Sequence, residues 1–452
     1  MSLAEAAAAI GGRSMGADVR FDGVSTDTRT VGKGQLFVAI RGERYDGHDF
    51  LAVAKDRGAS AALVDDKHSA STPLPVLVAD DTRRALGRLG RHWRLRFAPA
   101  LIAVTGSNGK TTTKEMLASI FRCHAGDAGT LATRGNLNTD IGVPMTLLGL
   151  RASHRYCAIE LGMNHPGEIA MLAQIAQPTI AVVTNAQREH MEFMKNVAAT
   201  AEENAAAYRA LPASGISVVN ADDNCRSIFI AACGQRPRIE FGLQRGDVTG
   251  RYVLKALQSE IVLKTPSGDA AATLAIPGLH NVRNALAAAA CAHAAGIPPA
   301  AIGAGLSAFR PYSGRLQLKK TTSGATLIDD SYNANPDSVR AAIDVLSTQP
   351  APTILVLGDM GEVGQQGPEF HKEVGAYARA QNISSLFALG DATQYSVDAF
   401  GAAGHHAKSL EDLLCVVRES AIPTATILVK GSRFMKMERV VAALTSEEGA
   451  AH

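Results

Sequence analysis

The chain has 452 residues, of which 46% are hydrophobic and 19% charged, and its formal net charge is +2. This length exceeds a single hydrophobic core and predicts about three domains, and the composition is that of an ordinary globular protein. The small net charge argues against a nucleic-acid-binding protein, which would present a strongly basic surface. The six cysteines form no C-x-x-C motif and no cysteine–histidine cluster, so we expect reduced thiols and no disulfide framework or zinc site.

The sequence predicts no targeting or membrane-spanning segment. Its Ala-rich opening run contains Glu5 and lacks the basic residues that begin a secretory signal. The apolar stretch 285–295 is too short to cross a bilayer and contains His293, which indicates a packed helix. We therefore expect a cytoplasmic protein without integral membrane contact.

The first 98 residues predict a small α/β unit. Its strand candidates lie at 35–40, 61–64 and 76–78. The basic segment 83–96 predicts a helix with a solvated face, with nucleic-acid binding as the lesser alternative. The Ala-Pro-Ala segment at 98–100 is a plausible linker to the next unit.

The segment 101–113, LIAVTGSNGKTTT, has the strand–loop–helix order of a phosphate-binding loop. Gly106 and Gly109 allow successive backbone N–H groups to curl around a polyphosphate, and the following helix points its positive end at the same charge. Lys110 is predicted to reach the outer phosphates and the Thr111 hydroxyl to bind Mg²⁺. Because Val104 occupies the first glycine position of the strict G-x-x-x-x-G-K-[ST] pattern, an ordinary strand-to-helix connection remains the alternative.

The middle of the chain alternates buried strands, at 101–105, 156–161, 180–184 and 216–220, with helical segments. This order predicts a mostly parallel sheet covered on both faces, with a ligand crevice at the carboxyl ends of its strands. Glu160 ends one strand and would face that crevice, where its carboxylate suits a hard cation; a helix cap is the alternative. His190 follows the next strand in a polar loop, where a metal or substrate contact and an ordinary structural role are equally compatible with its position.

Two polar segments each allow two interpretations. The segment 136–144, NLNTDIGVP, predicts either a helix start capped by Asn138 or Thr139 or a set of amides presented to a substrate. The segment 280–284, HNVRN, precedes the Ala-rich helix and predicts either N-terminal caps or side chains lying against a base.

The last third predicts a second Rossmann-like domain that begins near residues 313–315. Three apolar runs end in a glycine and a polar residue, at 356–359, 388–391 and 429–432, as expected for parallel strands at their carboxyl ends. A G-x-G-x-x-G motif is missing, so a dinucleotide is not the expected ligand. Asp329 and Asp330 end a further strand before the segment SYNANP, and two adjacent acids there favour a functional role over a simple turn.

Four of these motifs occur in the order found in the Mur ligase family, which the chain resembles over essentially its whole length. They are TGSNGKTT at 105–112, ELG at 160–162, Thr184-Asn185 followed by His190, and NVRN at 281–284. Within the family, the segments at 136–144, 329–336 and 357–362 are similar to those of the members that add D-alanyl-D-alanine. The resemblance implies an α/β protein of three domains, which we place at 1–98 for UDP-sugar binding, at 99–314 as a central ATP-binding domain with a mostly parallel sheet, and at 315–452 as a Rossmann-like domain for the incoming dipeptide.

The resemblance also implies a reaction and its cofactors. An enzyme of this kind uses ATP to phosphorylate the terminal carboxylate of a UDP-N-acetylmuramoyl-tripeptide, and the amine of D-alanyl-D-alanine then displaces phosphate from the acyl phosphate. This reaction belongs to peptidoglycan precursor synthesis, and thus to cell-wall formation, cell shape and cell division. ATP and Mg²⁺ are the implied cofactors, the two small-molecule substrates are the implied partners, and we expect a monomer that binds no nucleic acid. Both steps build charge on oxygens, which positioned cations and backbone amides stabilise.

The same resemblance implies roles for individual residues. Lys110, Glu160 and His190 are the implied catalytic residues. The implied metal ligands are Thr111, with Thr112 as the alternative, on one Mg²⁺, and Glu160 and His190 around a second cation beside the acyl phosphate. The implied ATP-binding residues are Gly106, Ser107, Asn108, Gly109, Lys110, Thr111, Thr112, Asn281, Asn284, Arg315 and Asp330. The implied UDP-substrate residues are Ser25, Thr28, Arg29, Gly42, Asp46, His48, Asn136 and Asn138. The implied dipeptide-side residues are Asn335, Asp359 and Arg433.

One position departs from the family pattern. Most members carry a lysine, carbamylated to a metal-bridging carboxylate, in the helix after the histidine motif, where this chain has AEENA at 201–205 and Asn204 aligns with the lysine. We expect either that Glu203 supplies a carboxylate directly, with Glu202 as the second candidate, or that the second cation is held more loosely. The alternative is that both acids lie on a solvated helix surface.

Three other functions are alternatives to this interpretation: a sister ligase that adds a different amino acid, a folylpolyglutamate-synthase-like enzyme, and a non-catalytic nucleotide switch or regulatory ATPase. The run DDSYNANP at 329–336 argues against the first two. The sequence does not distinguish diaminopimelate from lysine as the third residue of the peptide.

Overall fold

A computed structural model describes residues 1–70 and 72–446 of the chain. The described residues form an α/β fold with four sheets, and three of these sheets are wholly or mostly parallel. The predicted fold class is therefore confirmed. Each strand predicted in the first two units is present within two residues of its expected bounds.

The N-terminal unit is built on a five-stranded sheet with the order β1-β5-β4-β3-β2, in which only β1 is antiparallel to its neighbour. Its strands are β1 (Arg13–Met15), β2 (Gly23–Ser25), β3 (Gln35–Val38), β4 (Ala61–Asp65) and β5 (Val76–Ala79). Its helices are α1 (Leu3–Ile10), α2 (Leu51–Asp56) and α3 (Thr82–Arg94).

Helix α3 joins this unit to the central one. Asp81 caps its first turn by accepting hydrogen bonds from the backbone N–H groups of Arg83 and Arg84. Near the other end, Trp93 Nε1 donates to the carbonyl oxygen of Leu150, and the buried Arg94 donates to the carbonyl oxygen of Ala176. The basic segment that the sequence predicted as a helix therefore packs partly against the neighbouring unit.

The central sheet has six parallel strands in the order β11-β10-β9-β6-β8-β7. They are β6 (Ala100–Thr105), β7 (Thr130–Ala132), β8 (Tyr156–Glu160), β9 (Ile180–Val183), β10 (Ile216–Asn220) and β11 (Arg238–Phe241). The helices of this unit are α4 (Lys110–Ala125), α5 (Gly142–Leu148), α6 (Glu168–Ala176), α7 (Val197–Asn204), α8 (Ala206–Arg209), α9 (Arg226–Cys233), α10 (Leu279–Ala294) and α11 (Pro299–Ala308). Strand β6 lies in the middle of the sheet, and the phosphate-loop segment follows directly from it.

Small residues allow the helices on one face of this sheet to approach closely. Residues 284–292 of α10 are all buried, which confirms the packed helix predicted from the Ala-rich stretch. A Cβ atom at Gly305 of α11 would lie 2.3 Å from Cα of Ile120 in α4, so a larger residue there would force the two helices apart.

A three-stranded antiparallel sheet, which the sequence analysis missed, lies between the last central strand and α10. It consists of β12 (Thr249–Leu254), β13 (Ser259–Thr265) and β14 (Gly268–Leu274). Buried and more exposed residues alternate along β13 and along most of β14. This period of two is that of strands with one buried face.

The C-terminal unit has a six-stranded sheet with the order β15-β16-β20-β17-β18-β19, in which only β15 is antiparallel to its neighbour. Its strands are β15 (Gln317–Lys320), β16 (Thr326–Asp330), β17 (Thr353–Gly358), β18 (Ser385–Leu389), β19 (Gly404–Ala407) and β20 (Thr426–Lys430). Its helices are α12 (Pro336–Ser347), α13 (Gly367–Ala380), α14 (Thr393–Phe400), α15 (Leu410–Ser420) and α16 (Glu438–Thr445). The three Gly-polar steps of the sequence follow the parallel strands β17, β18 and β20, as predicted.

The central and C-terminal units meet across ionic and amide contacts. Arg188, in the loop after β9, donates to the carboxylates of Asp337 on α12 and Glu373 on α13. The side-chain amide of Asn335 donates to Oδ1 of Asn108 in the phosphate loop at 2.9 Å. Residues after the carboxyl ends of both sheets therefore face one another. No helix among the described residues has the length and apolar character to cross a membrane.

Candidate active site

The phosphate loop takes its shape from the end of β9. Gly106 has a φ of +125°, and a Cβ atom there would lie 2.2 Å from Oγ1 of Thr184. The Thr184 hydroxyl donates to the carbonyl oxygen of Asn108, and Oδ1 of Asn185 accepts the Asn108 backbone N–H. The Thr-Asn pair that the sequence singled out therefore clamps the loop, and glycine is needed for the close approach.

Gly109 brings the end of the loop against α10. Its φ is +84°, and a Cβ atom there would lie 2.2 Å from Oδ1 of Asn284. Helix α4 then begins at Lys110, so its unpaired N–H groups point toward the loop. This geometry matches the predicted site for a polyphosphate.

The side chain of Lys110 lies folded over its own loop. Its ammonium donates to the carbonyl oxygens of Gly106 and Ser107, at 2.6 Å and 3.0 Å, and to Oε1 of Glu189 at 2.7 Å. Glu189 was not a predicted site residue. Its position next to His190 in a polar loop was the only hint in the sequence, since the ion pair joins residues 79 positions apart.

Glu160 is buried at the end of β8, with 2% of its surface exposed. Its Oε1 accepts from the Thr111 hydroxyl at 3.2 Å and from the side-chain amide of Asn138 at 2.9 Å. Its Oε2 is buried and has no hydrogen-bond partner among the described residues. An unpartnered buried carboxylate oxygen is costly, and no helix N–H group engages it, so the structure favours the cation interpretation over the helix cap.

Of the two predicted helix caps, only Thr139 contacts the start of helix α5, which begins at Gly142. The Thr139 hydroxyl accepts the backbone N–H of Gly142 at 3.5 Å, and its carbonyl oxygen accepts that of Val143 at 2.8 Å. Asn138 instead presents its amide to Glu160. Gly142 is packed so tightly against the backbone of Leu137 that a Cβ atom would lie 2.3 Å away, and this packing sets the course of the loop that carries Asn138.

His190 adopts a positive φ of 52° and faces the C-terminal unit. Its Nδ1 lies 2.6 Å from Oε2 of Glu362, and its Nε2 lies 3.6 Å from Oε1 of Glu189. The neighbouring imidazole lowers the pKa of Glu362 below its usual range. His190 is thus held between two carboxylates, one from each unit.

A first cavity of about 530 Å³ brings all three predicted catalytic residues together. Its lining includes Arg83 from α3, the phosphate loop from Ser107 to Thr112, Glu189 and residues that follow strands of both larger sheets. The predicted residues outside the loop that line it are Asn136, Asn138, Glu160, His190, Arg315, Asn335 and Arg433.

A second cavity of about 440 Å³ lies on the other side of the same loop. The predicted residues Asn281, Asn284, Arg315 and Asp330 line it, and Asn108, Gly109 and Thr112 line both cavities. Because the loop and Arg315 are shared, the two cavities form the two sides of one crevice.

Side-chain amides and a buried ion pair shape the second cavity. Asn281 donates to the carbonyl oxygen of Pro277, and the amide of Asn284 donates to Oδ1 of Asn281. Asp330 accepts from Lys430 Nζ at 2.6 Å, and burial lowers the pKa of Lys430. Lys430 is a polar lining residue that the sequence analysis noted at a strand end but assigned no role.

The predicted UDP-substrate residues of the N-terminal unit, Ser25, Thr28, Arg29, Gly42, Asp46 and His48, do not line these two cavities. Several of them pair with one another or with near neighbours. Arg29 forms an ion pair with Asp27 and holds the pKa of that carboxyl at about 2. His48 Nδ1 lies 2.5 Å from Asp46 Oδ1, and its ring stacks on His68.

The three predicted dipeptide-side residues differ in their placement. Asn335 caps α12 in a capping box with Ser338 and also contacts the phosphate loop. The guanidinium of Arg433 lies 5.7 Å from the ring centroid of Tyr332. Asp359 lines neither cavity, and its carboxylate accepts the backbone N–H of Thr393 instead.

The expectation that Glu203 supplies a metal-binding carboxylate is corrected by the structure. Its two carboxylate oxygens accept the backbone N–H groups of Gly167 and Ile169, at the start of α6. Glu202 pairs with Arg209 on the surface. The buried Asn204 accepts a hydrogen bond from the Thr105 hydroxyl at 2.7 Å, so it supports the end of β6.

The fold and the loop geometry define a multi-unit α/β protein with a glycine-bearing loop and a helix start between two cavities. The Mur ligase middle domain matches residues 104–292, the Mur ligase glutamate ligase domain matches residues 314–433, and the catalytic domain of the Mur ligase family matches residues 20–94. The chain belongs to the Mur ligase family and is thereby a ligase.

Individual relatives agree with this assignment. The chain is 39% identical over 451 residues to the UDP-N-acetylmuramoyl-tripeptide–D-alanyl-D-alanine ligase of Escherichia coli strain K12, with 98% of each chain covered. It is similar to a crystal structure of MurF from Acinetobacter baumannii, with a TM-score of 0.91, 33% identity and 98% of each chain covered. It shares the fold of MurF ligase from Thermotoga maritima in complex with ADP, with a TM-score of 0.83, 24% identity, and 94% of this chain and 96% of that chain covered.

Proposed function

We propose that this chain uses ATP to join D-alanyl-D-alanine to UDP-N-acetylmuramoyl-tripeptide through an acyl phosphate, in cytoplasmic peptidoglycan precursor synthesis. The observation that carries the proposal is the placement of the phosphate loop between two cavities, with the unpartnered oxygen of Glu160 on one side and the amides of α10 on the other. Such a crevice separates a nucleoside from a reacting carboxylate while both reach the same phosphates. The matched ligases of E. coli and A. baumannii support the choice of substrates.

The second cavity suits the nucleoside of ATP. Asn281 and Asn284 provide amides for a base, and Arg315 stacks on Tyr332, with its guanidinium 4.2 Å from the ring centroid, at the point where the two cavities join. The ammonium of Lys110 already contacts loop carbonyls, so a short rotation of its flexible side chain brings it to the β- and γ-phosphates. In this position it stabilises the charge that develops during phosphoryl transfer.

The residues on the first cavity fit Mg²⁺. Glu160 offers a buried unpartnered oxygen, and the Thr111 hydroxyl lies next to the other oxygen of the same carboxylate. Carboxylate and hydroxyl oxygens are the hard ligands that this cation prefers. We propose that Thr111 holds one Mg²⁺ and that Glu160 and His190 hold a second, and these cations would neutralise phosphate charge and polarise the transferring group.

The first cavity then receives the two groups to be joined. Asn136, Asn138 and Arg83 lie on the side of the N-terminal unit, from which the UDP-linked tripeptide would enter. Asn335 and Arg433 lie on the side of the C-terminal unit, from which the dipeptide amine would enter. Arg433 offers a cation for a peptide carboxylate, since its side chain is 61% exposed.

This proposal gives each unit one role. Residues 1–98 bind the UDP-sugar, residues 99–314 bind ATP, and residues 315–452 bind the dipeptide. Ser25, Thr28, Arg29, Gly42, Asp46 and His48 would serve the UDP-sugar, and Asp359 would act on the dipeptide side only indirectly, through the end of β17. We propose that the chain acts as a monomer.

A phosphate-release assay with all combinations of ligands tests the proposed function. We expect rapid phosphate release only when ATP, Mg²⁺, the UDP-tripeptide and D-alanyl-D-alanine are all present. A nucleotide switch would instead release phosphate from ATP at the same rate without either peptide substrate. L-alanyl-L-alanine serves as the matched control, because it has the same composition and charge as the true dipeptide. Equal rates with and without D-alanyl-D-alanine would contradict the proposal.

A further inference from the structure

We infer that Glu189 is a further ligand of the cation bound beside Glu160 and His190. When nucleotide binds, this cation replaces the Lys110 ammonium as the partner of the Glu189 carboxylate. The inference rests on the proposed function, since it assumes a nucleotide–Mg²⁺ complex at the phosphate loop. It assigns a negatively charged residue to a site where Asn204 is neutral and Glu203 is engaged elsewhere.

The surroundings of Glu189 indicate a ligand position. Only 9% of its surface is exposed, and it lines the first cavity together with Glu160 and His190. Its Oε2 is buried and has no hydrogen-bond partner among the described residues, as is also true of Oε2 of Glu160. Two buried carboxylate oxygens without hydrogen bonds on one cavity destabilise the protein unless a cation or a hydrogen-bond donor binds them.

The present partner of Glu189 is one that a nucleotide would remove. Glu189 Oε1 accepts from Lys110 Nζ at 2.7 Å, and this ammonium is the mobile cation of the phosphate loop. Because a triphosphate carries more negative charge than one carboxylate, it draws the ammonium toward itself. Glu189 would then be a buried carboxylate without a counter-charge, a state that binding of a divalent cation relieves.

The neighbouring histidine supports the same assignment. His190 Nε2 lies 3.6 Å from Glu189 Oε1, so consecutive residues present an imidazole nitrogen and a carboxylate to one place. The other ring nitrogen, Nδ1, lies 2.6 Å from Oε2 of Glu362. A carboxylate on the far side of the ring orients the imidazole, as the outer partners of metal-binding histidines do.

Mn²⁺ binding to the full chain tests the inference without any measurement of turnover. Free Mn²⁺ is followed by electron paramagnetic resonance during titration, with a saturating non-hydrolysable ATP analogue present. We expect two Mn²⁺ per wild-type chain, and in Glu189→Gln one of them should bind at least ~10-fold more weakly, the scale set by the loss of groups that support a metal site. Glu202→Gln is the matched control, because Glu202 is an exposed acid that pairs with Arg209, and it should match the wild type.

Two further measurements keep the outcome clear. Glu189→Asp retains the charge with a shorter reach, and we expect it to bind the second Mn²⁺ better than Glu189→Gln; this comparison also holds if the glutamine variant folds poorly. The affinity for the ATP analogue in the presence of EDTA is the second measurement. Because EDTA removes divalent cations, this affinity reports only on the contact between Lys110 and the phosphates. A single Mn²⁺ per wild-type chain would overturn the inference, as would unchanged Mn²⁺ binding in Glu189→Gln. If that variant also bound the metal-free nucleotide more tightly, Glu189 would only compete with phosphate for Lys110.

The proposed function fails in a different way. If the wild type shows no dipeptide-dependent phosphate release, the function is wrong whatever the Mn²⁺ titration shows. If release depends on the dipeptide and Mn²⁺ binding is insensitive to Glu189, only the assignment of Glu189 is wrong.

Discussion

Replacement of Lys110 by alanine separates the catalytic role of this residue from its structural one. The ammonium donates three hydrogen bonds in the structure, to two loop carbonyls and to Glu189, and its side chain is 14% exposed. During the reaction the same group would stabilise negative charge on the phosphates. Loss of one such stabiliser lowers the rate by about 10²-fold or more.

The substitution should also reduce stability, because Glu189 loses its cation. Leaving one partner of a hydrogen-bonded pair unsatisfied costs about 1–3 kcal/mol. Glu189 is 9% exposed and lines the first cavity, so we expect a loss within this range and a fall in Tm of a few degrees. The fold should survive, since no side chain of the hydrophobic core is changed.

Turnover and thermal unfolding of three variants test this reasoning. Lys110→Ala should lose about 10²-fold in dipeptide-dependent phosphate release and a few degrees in Tm. The double variant with Glu189→Gln should recover Tm but not turnover, because it removes the unpaired charge and restores no cation. Lys372→Ala, a change at an exposed lysine on α13, should affect neither quantity. Near-normal turnover of Lys110→Ala would refute the assignment of the phosphate loop.

Four further predictions follow from the contacts described above. Arg188→Ala removes ion pairs between the central and C-terminal units. Small-angle scattering should show a larger radius of gyration for the ligand-free variant than for the ligand-free wild type, and a smaller difference between the two once an ATP analogue and UDP-tripeptide are bound. Equal radii of the two ligand-free proteins would contradict this prediction. Glu160→Gln should raise the Mg²⁺ concentration for half-maximal rate more than it raises KM for D-alanyl-D-alanine, and an unchanged Mg²⁺ dependence would remove Glu160 from the metal site. Activity should not depend on bicarbonate, because Asn204 cannot form a carbamate, and a bicarbonate requirement would reveal a lysine at another position. Burial lowers the pKa of His280 from 6.5 to about 4. Between these pH values the unfolded chain binds a proton that the folded chain does not, so Tm should fall as pH decreases from 6.5 to 4. The fall in Tm should be smaller in a His280→Gln variant.

The sequence predicted best where function and local structure use the same residues. Segment 101–113 contains a strand, two glycines and a helix start within a few positions, and the structure places all three as expected. Glu160 was identifiable because a carboxylate at the end of a buried strand is hard to explain as part of the core. The antiparallel sheet of β12–β14 was not predicted, because the alternation of burial along β13 does not follow residue type: Ser259 is buried, whereas Val262 is exposed.

The rest of the site depends on contacts between distant positions. The ion pair of Lys110 with Glu189 spans 79 positions, and that of Lys430 with Asp330 spans 100. No local pattern encodes such pairs, since they arise only when separate strands and loops are brought together. The same reason explains the error at Glu203, whose carboxylate reaches back 36 positions to Gly167.

Transfer of oxygen from substrate to phosphate tests the central claim most directly. A UDP-tripeptide labelled with ¹⁸O at both oxygens of its terminal carboxylate is incubated with ATP, Mg²⁺ and D-alanyl-D-alanine, and the released phosphate is analysed by mass spectrometry. Attack of the carboxylate on ATP and displacement by the dipeptide amine predict one ¹⁸O in each phosphate and one retained in the new amide. Product formation with unlabelled phosphate would contradict the acyl phosphate, and labelled substrate that is never joined to the dipeptide would contradict ligation itself.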